Sequence, residues 1–320
     1  MPVVVNERTF GSVSSTPAAW SSSAPLAGLA AIAAAAALWA IAAIVARDLF
    51  EAGVPPLELA EARAIIAATG FVLLSLGRRP IVGTPHRRTL VLTVGLGLAI
   101  ALVNGTHYLA IDRLSVAVAV VLQYTAPALV MAWAALVARR VPSPEVLAAL
   151  VAAVAGVIFV VELPLGGVGD LDGLGVAFGL ASAVLFATYS LVSESLSGIY
   201  GALGAMSRAF VVAGAFWVLY QIPFGWPGEL FEPSNLLGVL FVGLAGTLSP
   251  FLLYVWGIRR VRAERATIAA TLEPVLATVF AWVFLGQALG PLQILGGVLV
   301  CAAVVLLQAR RRAPVRAPEP

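Results

Sequence analysis

Residues 111–119 read Ile111-Asp112-Arg113-Leu114-Ser115-Val116-Ala117-Val118-Ala119, and 147 positions later the chain reads Ile258-Arg259-Arg260-Val261-Arg262-Ala263-Glu264-Arg265-Ala266. The same offset sets Leu38-Trp39-Ala40 and Val45 against Leu185-Phe186-Ala187 and Val192, Pro127 against Pro274, Ala134 against Ala281 and Pro144 against Pro291. With a small change of loop length, Arg63-Ala64, Ala68 and Phe71 meet Arg208-Ala209, Ala213 and Phe216. Apolar coincidences arise easily in an apolar chain, so the matched arginines and prolines carry the reading. A duplicated hydrophobic unit is the recurrent plan of secondary transporters.

The composition names the solvent. Hydrophobic residues make up 61% of the chain and charged residues 11%, with a mean hydropathy of +1.01. Such a chain has too little polar surface to face water. A membrane-spanning helix needs roughly 20 mainly apolar residues. Ten candidate segments fit: 26–46, 57–77, 90–110, 115–137, 144–163, 173–193, 202–222, 236–257, 266–285 and 291–308. A membrane barrel shows short alternating strands instead, so the expected fold is an all-α integral membrane bundle.

The expected organisation is a cytoplasmic tail (1–25), a first repeat (26–163), an extracytoplasmic linker (164–172), a second repeat (173–308) and an Arg/Pro-rich tail (309–320). The single cysteine, Cys301, falls in the tenth segment and is expected as a small core residue, so no internal disulfide forms. All 19 basic residues are arginines. They flank the apolar segments and form no basic domain, which argues against a nucleic-acid partner.

Arginines are retained on the cytoplasmic side of a membrane protein. With the N-terminus inside, the loops holding Arg78, Arg79, Arg87, Arg88, Arg139, Arg140, Arg259, Arg260, Arg262 and Arg265 fall inside, as does the C-terminal tail. Asp48, Glu51, Asp112, Glu162, Asp170, Asp172, Glu229 and Glu232 fall outside, with only Arg47 and Arg113 for contrast. Five segments per repeat is an odd number, so the second copy enters from the side opposite to the first. Inverted halves of this kind exchange outward-open and inward-open states around a midplane site.

Leu38-Trp39-Ala40, the arginines Arg63 and Arg208, and Gln123-Tyr124-Thr125-Ala126-Pro127 set against Leu272-Glu273-Pro274-Val275 resemble the EamA-type transporters of the drug/metabolite transporter superfamily. Leu285-Gly286-Gln287 and Gln293-Ile294-Leu295-Gly296-Gly297 are similar to the end of that family's second repeat. The resemblance runs from about Leu26 to Leu307. It implies a multi-pass inner or plasma membrane carrier, often an exporter of amino acids, amines or related metabolites, with a cavity between its halves. The chain departs from a fully paired pattern at one point: Ala126-Pro127 stands where the second repeat has Glu273-Pro274.

Glu273 is the foremost candidate for chemistry, because an ionisable group inside a span costs about 2.5–3.5 kcal/mol on insertion scales and is placed where protein or water compensates. It reads either as a proton acceptor or counter-charge for an amine, or as a helix-packing partner of a buried donor. Pro274 frees the carbonyl of Ala270, Pro127 that of Gln123 and Pro250 that of Gly246. Freed backbone at membrane depth must meet a cavity or another helix. Asn104, His107 and Tyr108 share one helical face. His107 reads as a proton-coupling group or as a hydrogen-bonded histidine near the interface. Gln123, Tyr124, Trp39, Tyr189 and Tyr254 are further candidate cavity residues. Arg63 and Arg208, at corresponding places, read as structural charges bound to carbonyls or to carboxylates such as Glu61, with a substrate carboxylate as the alternative.

Three motifs are set aside. Gly167-Val168-Gly169-Asp170 spells an intramembrane aspartyl protease motif but has no partner Asp within a span. Gly95-Leu96-Gly97 lacks the strand of a dinucleotide site. Gly175-x-x-x-Gly179 has the spacing that draws two helices together, within the bundle or between subunits. With no metal cluster, Walker motif or hydrolase motif, no cofactor is expected. The function expected is a secondary transporter exporting a small polar metabolite, an amino acid or related amine, with protons as a candidate coupling partner. A multidrug or nucleotide-sugar carrier, or a membrane enzyme or scaffold, is the alternative.

Overall fold

A computed structural model describes residues 24–76, 86–114, 116–163, 172–225, 228–285 and 288–307. Most of the N-terminal tail, the C-terminal tail, Arg78 and Arg79, Gly167-Val168-Gly169-Asp170 and Gly286-Gln287 lie outside the described residues. Within them the chain is helical, with no strand: α1 (Ala24–Glu51), α2 (Pro56–Ser75), α3 (Arg87–Arg113), α4 (Val116–Gln123), α5 (Ala126–Leu136), α6 (Pro144–Val160), α7 (Gly173–Gln221), α8 (Pro233–Gly243), α9 (Ser249–Val261), α10 (Ala263–Ala270), α11 (Leu272–Leu285) and α12 (Pro291–Leu306). A π-helical segment, Leu244–Leu248, joins α8 to α9.

Prolines set several starts. Pro56, Pro144, Pro233 and Pro291 occupy the first helical position, where the missing N–H has no intrahelical acceptor to lose and the ring pre-sets φ. At the start of α7, Asp172 accepts from the amides of Leu174 and Gly175 at 2.7 and 3.0 Å, which satisfies two of the orphan donors of a helix terminus.

Six stretches are long and apolar enough to cross a membrane: 25–51, 87–110, 118–136, 173–221, 233–261 and 263–284. Helices α6 and α12 are apolar but shorter, and α2 carries Glu58, Glu61 and Arg63. Several expected segments are built differently from a single rod. The segment expected at 115–137 breaks at Tyr124-Thr125, just before Pro127, and that at 266–285 breaks at Thr271, before Pro274. The one at 236–257 passes through the π segment, before Pro250. In each case a proline removes the donor that would have bound the carbonyl four residues earlier.

Helix α7 unites the segments expected at 173–193 and 202–222 as two helical limbs, with a non-helical kink at Gly201 between them inside its 49 residues. At about 1.5 Å per residue it would far exceed the ~30 Å hydrocarbon layer if straight. Gly201, at φ 74° and ψ 168°, breaks it, using the left-handed region that glycine enters without a Cβ penalty. The first limb meets α3 at its end, where Gly175 abuts Arg113 and Leu114, and the second returns along α3 with Val212 against Gly97.

Counterpart helices of the two copies pack on one another in opposite directions. A Cβ on Gly156 of α6 would lie 2.7 Å from Val300 Cγ2 and 2.8 Å from the Gly296 carbonyl oxygen, while one on Gly296 would lie 2.6 Å from the Val160 nitrogen. Residue number therefore rises along α6 as it falls along α12. The same holds for α2 and the second limb of α7, where Ser75 meets Ser207 and Ala68 meets Gly214. Backbones approach this closely only where small residues line the seam. Gly175 and Gly179 act within the chain, against Leu114 and Leu122.

The central layer is filled by aromatic rings and alanines, with Phe71, Phe210, Phe251, Tyr189 and Tyr254 buried in one cluster. The outer faces are apolar: Leu237 is 79% exposed and Phe284 71%, the pattern of helices whose solvent is lipid. Cys301 belongs to that outer surface rather than to the core, a correction of its expected place.

Candidate functional site

The breaks before Pro127 and Pro274 come together. Tyr124 donates from its hydroxyl to Glu273 Oε2 at 2.9 Å and lies 3.3 Å from the carbonyl oxygen of Ala270, the group that Pro274 leaves without a helical donor. A side chain from one copy thus satisfies the opened backbone of the other and holds its carboxylate. Glu273 is half-buried and has no ion-pair partner among the described residues. Arg63 acts on it through space.

Arg63 closes the second opening. It is buried, and its guanidinium donates through Nε to Thr247 Oγ1 at 2.8 Å, through Nη2 to the Gly246 carbonyl at 3.0 Å and through Nη1 to the Tyr108 hydroxyl at 3.3 Å. Gly246 O is the carbonyl released by Pro250. Thr247 in turn donates to Val242 O at 2.7 Å, five residues back, in register with the π segment. The planar fork of an arginine satisfies several acceptors at once, which a lysine cannot reproduce.

A separate set of contacts joins the aromatic rings of the core. Trp39 stands edge-on to Phe251 at 5.6 Å and tilts against Tyr254 at 5.5 Å, while its counterpart Phe186 flanks the same Tyr254 at 5.9 Å. Tyr189 stacks on Tyr254 at 5.6 Å. Ser190 donates to Phe186 O, so in its 3.0 Å contact with Tyr254 the tyrosine is the donor. Tyr189 and Tyr254, expected as cavity walls, are fully buried core residues in this conformation. Trp39 keeps partial exposure.

The shared face of Asn104, His107 and Tyr108 divides in use. Tyr108 serves Arg63 and stands edge-on to Phe50 at 5.7 Å. His107 is half-buried, and its Nδ1 has no hydrogen-bond partner among the described residues. Asn104 and Gln123 are half-buried. Arg208 does not repeat the role of Arg63. It bonds the Gly204 carbonyl of its own helix at 2.9 Å and lies over the Tyr200 ring at 4.1 Å, away from the Tyr124–Glu273 contact.

Sequence reasoning passed over several participants. Thr247 and Phe251 adjoin Pro250 in sequence but were not singled out as ligands of Arg63 or of the ring cluster. Glu61 does not pair with Arg63: it is 1% exposed, and both carboxylate oxygens lack a partner among the described residues. Trp217 Nε1 is likewise buried and unpartnered. No group of His, Cys, Asp and Glu among the described residues has the arrangement of a metal site.

The model of the EamA-like transporter family matches the chain twice, over residues 26–162 and 173–308. The chain belongs to the EamA-like transporter family. It is 28% identical over 213 residues to an inner membrane transporter of Salmonella typhimurium, YicL, covering 65% of this chain and 70% of that one. It is also 28% identical over 235 residues to the threonine/homoserine exporter RhtA of Escherichia coli, covering 69% and 72%. A transporter of Archaeoglobus fulgidus is 27% identical over 234 residues, covering 70% and 77%. A solved crystal structure superposes with a TM-score of 0.72 at 21% identity, over 89% of this chain and 97% of the other, which establishes the shared fold. The protein is a multi-pass membrane transporter of this family.

Proposed function

We propose that this EamA-family protein crosses the membrane ten times as two inverted five-helix repeats, with both termini in the cytoplasm, and exports a small polar metabolite by alternating access. The units are the repeats 26–163 and 173–308 joined by a short extracytoplasmic linker. The antiparallel packing of α6 on α12 and of α2 on the second limb of α7 supports inversion. Arginine asymmetry supports the orientation.

The substrate class is an amino acid or related amine, and the observation that carries this reading is the Tyr124–Glu273 contact. A half-buried carboxylate at a helix break, held by one hydroxyl and no cation, is free to accept a proton or an ammonium group. Trp39 and Phe186, partly exposed rings at corresponding places in the two repeats, are the candidate apolar and cation-binding faces of the cavity. Exchange between the two ligands of one carboxylate gives antiport its simplest form: the proton and the amine compete for Glu273, and the carrier crosses when either is bound. Similarity to a threonine/homoserine exporter favours amino acids among the amines.

Purified protein in liposomes preloaded with threonine or homoserine tests the reading by counterflow. Wild type is expected to exchange, and Glu273→Gln to lose proton-driven accumulation. Normal rate and unchanged pH dependence in Glu273→Gln refute the role of that carboxylate. Absence of counterflow for every amino acid and amine tried refutes the substrate class.

A further inference from the structure

A notch of about 470 Å³ opens sideways between the end of α2, the start of α3 and the second limb of α7, a size within the roughly 300–1,000 Å³ of small-ligand sites. We propose that it binds an anionic phospholipid, with the headgroup phosphate on Arg208 and the acyl chains along Val72, Leu76, Leu90 and Val211.

The walls point to lipid. Leu76 is 75% exposed, Leu90 53%, Val211 48% and Val72 40%, so the notch faces hydrocarbon and not the interior of the bundle. Its floor is closed. The hydroxyls of Ser75 and Ser207 lie 2.6 Å apart and 2.8 and 3.1 Å from the Phe71 carbonyl; with one hydrogen each, one donates to that carbonyl and the other to its neighbour. Those hydroxyls are committed to one another and to backbone, and they seal the notch from the buried rings behind it.

The headgroup assignment rests on charge and level. Arg208 uses one nitrogen on Gly204 O and lays its plane on Tyr200, which fixes the guanidinium while its other N–H groups have no protein partner among the described residues. Ser75 is the last residue of α2 and Arg87 the first of α3, so the notch lies where helices leave the hydrocarbon. Arg87 and Arg88 are exposed at that same end. Arg259 adds a further positive charge, its Nη1 being 3.9 Å from where a Cβ on Gly201 would stand. No carboxylate lines the notch among the described residues. Basic pockets between helices on the cytoplasmic side suit anionic headgroups, and a guanidinium forms paired charge-assisted hydrogen bonds with phosphate oxygens. A free anion makes no use of the apolar walls, and a zwitterionic lipid draws no net benefit from the arginines.

The test is lipid retention by the full chain in detergent, read by native mass spectrometry with phosphatidylglycerol and phosphatidylcholine of identical acyl chains. Wild type is expected to favour phosphatidylglycerol roughly fivefold, the contribution of about one surface arginine. Arg208→Gln lowers the preference and Arg208→Lys keeps most of it. Val211→Trp, which fills the notch, lowers retention of both lipids. Equal retention of the two lipids by wild type overturns the proposal, as does an undiminished preference in Arg208→Gln or undiminished retention in Val211→Trp. Displacement of phosphatidylglycerol by inorganic phosphate alone marks a free-anion site and overturns the lipid assignment.

Discussion

The hydroxyl of Tyr124 lies 2.9 Å from Glu273 Oε2 and 3.3 Å from the carbonyl of Ala270, so one side chain of the first repeat serves both polar groups exposed by the break at Pro274. Tyr124→Phe deletes the donor and leaves both acceptors in place. Orphaning buried acceptors costs about 1–3 kcal/mol. The expected outcome is a lowered thermal midpoint in detergent together with altered pH dependence of exchange. An unchanged midpoint means that the two groups find another donor.

Arg63 and Arg208 correspond in sequence but not in attachment. Arg63→Lys keeps the charge and loses the three-way fork to Thr247, Gly246 and Tyr108, whereas Arg208→Lys loses a contact within its own helix. Hydrogen bonds to charged groups contribute about 1.5–3 kcal/mol each. Thermal unfolding of the two variants should therefore differ clearly, with Arg63→Lys the less stable; equal losses contradict the assignment.

Glu61 presents the reverse case. Both its oxygens are buried without a partner, and burial of an uncompensated polar group opposes folding. Glu61→Met keeps the volume and removes that burden, so the expected midpoint is equal to or above wild type. A marked fall shows that the carboxylate has a stabilising partner in the membrane.

The α6–α12 seam depends on two glycines. Gly296→Val forces a side chain against the Gly156 carbonyl and the Val160 nitrogen, both backbone atoms that cannot turn aside. Overpacking of this kind costs about 1–3 kcal/mol. Loss of stability with an intact α2–α7 contact is expected, and disulfide cross-linking of cysteines placed across each seam distinguishes them.

Asp172 supplies the pH dependence. The Gly175 amide above all, opposed by desolvation and aided to a lesser extent by the Leu174 amide and by Arg113 at 3.3 Å, holds its carboxyl below the usual carboxylate range. A depressed folded-state pKa contributes stability present above the unfolded value of about 3.9, lost as pH falls through the folded value. Wild type should lose thermal stability more steeply than Asp172→Asn as pH falls through about 4 and below; parallel curves refute the cap.

Much of the site was legible before any coordinates. Pro250 and Pro274 announced that Gly246 and Ala270 would have free carbonyls, because proline lacks an N–H wherever it stands. Glu273 announced a polar centre, because charge in an apolar run is costly in any fold. What plugged those carbonyls was not legible. Tyr124 and Arg63 lie 146 and 183 residues from the groups they serve, and no local pattern links them.

The sequence by itself determined that the chain is an apolar, duplicated helical protein, since composition and periodicity follow from solvent and helix geometry alone. Only the tertiary structure decided that Arg63 is bound to the other repeat while Arg208 stays on its own helix, that Tyr189 and Tyr254 are core and that Glu61 is unpartnered. Those outcomes depend on which helix faces which. In a bundle packed through small residues, that is settled by the fit of whole surfaces and not by any single stretch of chain.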